Sequence, residues 1–353
     1  MNYYTILKPF RPQPALYPTW GLLIIAISLL LSSCGPKGIN FSILPAGVAV
    51  QQGNLANNKV DVLWVIDNSG SMLTKQQNLA TSFDSFTQIF LNRNFDFHMA
   101  IVTTDIRSAT DPNPLLRGQQ GDFQGAPSVI TPSTANFSSV FKANIVVGAL
   151  GDPAAKSLDA IILSLGVAKL AGSNTGFLRS DAHLAVIFVS DADDDDSVAS
   201  VSDTVSFLNT LKPDVFDVTS RTYKKNFTAS AVVVDTSNTG NAACPMPFED
   251  GVKFKQIAAQ TNGSIASICE NDFSSGLLNI SQNIAAAITE IPLGRVPNVS
   301  TIQVLFNGIT ISNDSTNGWT YSSTGNKIVF HGNAIPFDQT SIQVNFIPAD
   351  IIR

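Results

Sequence analysis

The stretch Val60–Met72, reading Val-Asp-Val-Leu-Trp-Val-Ile-Asp-Asn-Ser-Gly-Ser-Met, constrains the fold more than any other. Its first half is apolar and β-branched and stops abruptly at Asp67. A strand buried on both faces and ending in a polar turn reads this way. The turn carries Asp67, Ser69 and Ser71 at alternate positions, and Gly70 permits a tight backbone. Alternation lets one carboxylate and two hydroxyls converge on a point, an oxygen set that suits a hard divalent cation. A helix-capping turn without metal is the other reading of the same residues.

The rest of the chain alternates in the same manner. Leu79, Phe83, Phe86 and Phe90 make one apolar helical face. Phe97–Thr104 reads as a second buried strand, and Leu184–Ser190 as a third that runs straight into Asp191. Leu158, Ile162 and Leu165 mark a helix, with Asp152-Pro153 before it as an N-cap followed by a first-turn proline. A helix over Val252–Thr261 closes on Asn262-Gly263, and a stripe from Phe273 to Ile288 predicts another. Arg107–Ser139 has no clear period and is long for a loop, so it reads as a functional insertion or as short strands.

Such alternation predicts an α/β fold, a doubly wound and mostly parallel sheet flanked by helices. Functional loops gather at the carboxyl ends of strands in these folds. Asp67, Thr104 and Asp191 all fall at such ends. Past Pro297 the period changes to two: Ile302, Val304 and Phe306, then Ile328 and Phe330, then Ile342, Val344 and Phe346, with a hairpin signal at Asn307-Gly308. That predicts a small antiparallel β unit packed against the larger domain.

On these residues the chain resembles a von Willebrand factor A domain over roughly 59–291, whose metal-ion-dependent adhesion site opens with Asp-x-Ser-x-Ser. The resemblance implies that Ser69 and Ser71 bind the cation directly, that Asp67 acts mostly through water, and that Asp191 completes the outer set. It also implies a threonine ahead of the third large helix. Here Gly151-Asp152 stands where the family has Gly-Thr, so Asp152 or Thr104, with Thr103 beside it, is the candidate third ligand. Mg2+ is the cation expected, with Mn2+ or Ca2+ as alternatives, and an aspartate at 152 shifts preference toward the latter two. Asp193–Asp196 extend the acidity and read as a solvated face or as a second calcium site.

The amino-terminal segment points to export. Lys8 and Arg11 precede an apolar run, Gly21–Leu31, short for a membrane span and right for a secretory signal, with an ordinary amino-terminal anchor as the alternative. Leu31-Ser32-Ser33-Cys34 resembles a bacterial lipobox, which implies cleavage before Cys34 and lipid on it. Gly35 after the cysteine resembles the sorting signal of enterobacterial lipoproteins, which implies the outer membrane in a Gram-negative envelope. The organisation expected is therefore a signal peptide over 1–33, a lipidated cysteine and tether over 34–58, the A domain over 59–291 and a β-rich unit over 297–353. In an oxidising compartment Cys244 and Cys269 are a candidate disulfide, with two reduced buried thiols as the alternative.

A net charge of −6 argues against an electrostatic nucleic-acid binder. His98, His183 and His331 show no zinc spacing, and no phosphate loop, dinucleotide fingerprint or Gly-x-Ser-x-Gly occurs. No catalytic residues are assigned, and no enzyme is expected. The reading is an envelope lipoprotein that binds a protein ligand through the cation, the partner offering an acidic side chain. A metal-independent envelope scaffold is the alternative.

Overall fold

The computed structural model describes residues 49–52, 58–113, 117–217, 222–236, 249–337 and 339–349. Cys34, Cys244 and the apolar run Gly21–Leu31 lie outside them. Within these residues no helix is long and apolar enough to cross a membrane.

The apolar run forms β2 (Lys59–Ile66), buried from Val60 onward. It is an interior strand of a five-stranded sheet, with both of its edges taken. β3 (Asp96–Thr103) pairs on one side and β4 (His183–Val189) on the other, both parallel. β7 (Phe227–Val233) and β8 (Ile265–Ser267) continue outward from β4, again parallel. The order β3-β2-β4-β7-β8 is the doubly wound arrangement expected from the alternation. The chain runs outward to β3, returns across β2, and then builds the other side. Its topological switch point therefore lies between β2 and β4, where such folds place ligands.

Alternate residues of β2 feed two cores. Val60, Val62, Trp64 and Ile66 face α1 (Leu73–Asn92), α2 (Phe137–Asn144) and α7 (Ser274–Thr289). The expected stripe of α1 is buried here, and Trp64 sits edge-on to Phe86 and Phe141 at 5.0 and 5.4 Å. Leu63 and Val65 face α3 (Ser157–Ser164) and α6 (Val252–Thr261) on the other side. α4 (Val167–Leu170) and α5 (Val201–Leu211) complete that layer. α6 ends on Asn262 in the left-handed conformation, as its Asn-Gly signal predicted.

The segment after β3 is mostly turns. It touches the sheet through a bridge between Met99 and Ile130 and then enters α2. β5 (Val215–Asp217) and β6 (Thr222–Lys224) form a small exposed hairpin that the pattern did not predict.

The carboxyl-terminal strands form two antiparallel sheets, and neither is made from residues past 297 alone. β9 (Ile291–Pro292) pairs with β13 (Lys327–Phe330), which pairs with β12 (Trp319–Ser322). In the second sheet β14 (Ile342–Phe346) lies between β10 (Gln303–Phe306) and β1 (Ala49–Gln52), with β11 (Ile309–Ile311) at the edge. Residues 49–52, expected to be tether, are thus an edge strand. β10 and β11 are joined by Asn307 and Gly308, both at positive φ, the two-residue turn the dipeptide predicted. Val304, Ile328, Phe330 and Val344 share a continuous core with α1 and α7. A unit this small has little core of its own, and burial against the helices supplies it.

Candidate functional site

Parallel strands bring all their carboxyl ends to one rim, and the register aligns the residues that follow them. Ile66 is paired with Thr103 on one side and Val189 on the other. The next residues, Asp67, Thr104 and Ser190, therefore stand in one row. The row is held by Thr104 N donating to Ile66 O, Asp67 N to Val189 O and Ser190 N to Val232 O.

Asp67 is fully buried, and both carboxylate oxygens accept hydrogen bonds. Oδ1 takes the backbone N–H of Ser69 at 2.8 Å, and Oδ2 takes the hydroxyl of Ser190 at 2.7 Å. The first bond shapes the turn so that Ser69 and Ser71 follow at the surface. Ser71 Oγ donates to Asp191 Oδ1 at 3.0 Å, linking the two loops of the switch point. Asp191 is buried, and burial pushes its carboxyl pKa up; the Ser71 bond opposes that shift, while the neighbouring Asp67 charge adds to it. The structure brings Asp67, Ser71 and Asp191 together directly, and Ser69 through its backbone.

Three oxygens on this rim are buried without a hydrogen-bond partner: Asn68 Oδ1, Thr104 Oγ1 and Asp191 Oδ2. Thr103 Oγ1 is a fourth at the strand end. Unsatisfied buried acceptors are destabilising, and together with half-buried Ser69 and exposed Ser71 they make an oxygen-only donor set. That chemistry fits a hard divalent cation and its waters. Among the described residues no group of three or more His, Cys, Asp and Glu side chains is disposed to hold a metal. A hydroxyl-rich site is a different donor class.

Asp152 behaves otherwise than its sequence context predicts. It does not cap α3, which starts at Ser157 with Lys156 before it. Its Oδ1 accepts from Ala154 N at 3.1 Å, and Oδ2 lies 3.7 Å from Arg107 Nε. Pro153 likewise precedes the helix instead of opening it. The loop still reaches the rim, because Gly151 N donates to Asn68 O at 2.9 Å. Gln76, fully buried in α1, holds the neighbouring backbone: its amide bonds to Asp67 O and exchanges two hydrogen bonds with Gly148. Arg107 itself is clamped by Asp105, with Nη2 at 2.6 Å from Oδ2.

The acidic run is not a uniformly solvated face. Asp194 is buried, and its Oδ2 accepts the Leu158 N–H at 2.7 Å, capping α3 from a distant loop. Ser197 donates to the same carboxylate through backbone and side chain. Asp193 accepts Lys253 N at the start of α6. Asp195 and Asp196 are exposed, as expected, with Lys253 on Asp195.

Sequence reasoning missed Ser190, Gln76 and the Asp105–Arg107 clamp as parts of this rim. Ser190 carried a readable signal, since it precedes Asp191 at the end of the central strand. Gln76 carried none. The histidines are apart from the rim: His98 bonds Phe177 O, His183 bonds Thr228 Oγ1 and His331 bonds Thr320 Oγ1. Cys269 is disulfide-bonded, while Cys244, its expected partner, lies outside the described residues.

No protein-family model matches the chain, and no curated protein sequence matches it. Among solved structures it is similar to a von Willebrand factor type A protein from Catenulispora acidiphila, with 12% identity over 87% of this chain and 62% of that one and a TM-score of 0.38. It is also similar to proximal thread matrix protein 1 of the mussel byssus in two structures. One has 12% identity over 68% of this chain and 50% of that one, the other 11% over 69% and 49%, both at a TM-score of 0.37. The chain spans less than two thirds of each of these proteins.

Proposed function

We propose that this protein is a cell-envelope lipoprotein, anchored through Cys34, that binds a protein ligand through a divalent cation at the rim between β2 and β4. The observation that carries the reading is the set of unpartnered buried oxygens, Asn68 Oδ1, Thr104 Oγ1 and Asp191 Oδ2, beside half-buried Ser69 and exposed Ser71. The two serines and Thr104 would hold the cation directly, with Asp67 and Asp191 acting through its waters. When bound, the cation offers an open position to a carboxylate oxygen of the partner. The chain's own part is preorganisation: Ser190 and the Ser69 N–H fix Asp67, and Ser71 fixes Asp191. Neutral direct ligands leave the cation's charge available to that carboxylate. Mg2+ is the cation proposed, and a Cys244–Cys269 disulfide suits the exported compartment.

A second reading, a metal-independent scaffold, is favoured by one observation. Arg107 already supplies positive charge to Asp152 on this rim. Calorimetric titration of Mg2+, Mn2+ and Ca2+ into the wild type and an Asp67→Ala, Ser69→Ala double variant separates the two. Saturable binding confined to the wild type is the expected result. A folded wild type that binds none of the three ions would sink the cation reading and leave the scaffold. Incorporation of labelled palmitate that disappears in Cys34→Ser tests the anchor.

A further inference from the structure

Arg93 follows the last residue of α1 and is 8% exposed, yet among the described residues it pairs with no carboxylate. Its Nη2 donates to Gly332 O at 3.1 Å and to Asn333 Oδ1 at 3.0 Å, and the guanidinium lies 5.2 Å from the centre of the Phe337 ring. Guanidinium has five N–H donors, so Nε and Nη1 are left to reach elsewhere. Neither is sealed from solvent, since neither is among the buried atoms lacking a partner. Arg93 lines a cleft of about 460 Å3 whose other walls come from the carboxyl-terminal segment 306–340.

The cleft's chemistry is consistent around this cation. No acidic side chain lines it among the described residues. Phe306, Ile309 and Phe337 supply apolar wall, and Ile309 and Phe337 remain substantially exposed. Asn307, Thr310 and Ser312 supply neutral polar groups. A nearly buried arginine without a counter-ion is destabilising, and a bidentate carboxylate is the geometry its fork matches. We infer that this cleft is a binding site for a carboxylate-bearing ligand with an apolar body, held by Arg93 at one end and by Ile309 and Phe337 along its length. The site is separate from the strand-end rim and does not depend on the cation.

A carboxylate of this kind is carried by a small free acid or by a peptide's chain terminus. Both are tested by following N-acetyl-L-phenylalanine, its primary amide and a tetrapeptide ending in phenylalanine with ligand-observed NMR against the full chain. The acid is expected to bind saturably, and the amide roughly tenfold or more weakly, since a charge-assisted pair is lost. Arg93→Met abolishes binding. Because Arg93 also ties down Gly332 and Asn333, Ile309→Glu on the exposed rim is the second variant. It should weaken the acid roughly tenfold through like-charge repulsion with an unchanged unfolding midpoint. Tighter binding of the tetrapeptide than of the acid assigns the chain terminus, and equal binding assigns the small acid. Acid and amide binding alike, no binding of acid or tetrapeptide by the folded wild type, or an Ile309→Glu affinity equal to wild type would overturn the proposal.

Discussion

Ser190 Oγ donates to Asp67 Oδ2 at 2.7 Å, joining the residues that follow the two central strands across the switch point. The bond is buried, so its loss exposes the carboxylate to no water. Ser190→Ala should destabilise the fold by about 1–3 kcal/mol, the usual penalty of stranding a buried acceptor. Urea unfolding of the variant measures it. Titration of Mg2+ into the same sample should show weaker binding, because Asp67 is then held by the Ser69 N–H alone.

Thr104 and Asp152 compete for the role of third ligand, and the hydrogen bonds separate them. Thr104 Oγ1 is buried and unpartnered, whereas Asp152 is engaged with Ala154 N and Arg107. Thr104→Val, which keeps the shape, should lower cation affinity by roughly 10–100-fold. Asp152→Asn should change it by no more than about twofold, since a partly exposed pair of this kind contributes little. The reverse order in calorimetry would move the ligand to Asp152.

Asp194 caps α3 from the loop after β4, so it supports the helix that packs beneath the rim. Asp194→Ala should cost about 1–2 kcal/mol of stability, and Asp196→Asn, at an exposed position, less than about 0.5 kcal/mol. Denaturant midpoints of the two variants check both. Cation binding should persist in Asp196→Asn.

His183 is enclosed beside Thr228, and burial lowers its pKa to about 3, with Lys224 and Lys212 adding repulsion. The unfolded chain therefore takes up this proton first as pH falls. The histidine's contribution is complete above about pH 6.5 and is lost below it at up to roughly 1.4 kcal/mol per pH unit, until about pH 3. Between pH 6.5 and 5, ahead of most carboxylates, His183→Gln should show a flatter fall in stability than the wild type. Equal slopes would mean that the imidazole protonates within the fold.

What was legible in the sequence is what local chemistry decides. The apolar run of β2, the stripe of α1, the Asn262 cap and the Asn307-Gly308 turn each depend on residues a few positions apart, so their spacing carries them. The Asp-x-Ser-x-Ser turn belongs to the same class, because Asp67 makes its turn bond to Ser69. What only the tertiary structure decided rests on partners far along the chain. Asp152 sits where a helix cap would, yet the adjacent strand-end loop places Arg107 beside it and α3 starts later. Asp194 reads as surface charge until Leu158, 36 residues away, offers an unpaired N–H. Asp61, an acid inside the apolar run, is matched by Arg179 at 2.8 Å. Residues 49–52 become a strand through pairing with β14 at the other end of the chain. Arg93 gains its cleft only when the carboxyl-terminal sheets close over α1. Backbone periodicity is set by neighbours within a turn of helix or a pair of strand residues, whereas the satisfaction of buried charge is set by whatever folding brings alongside.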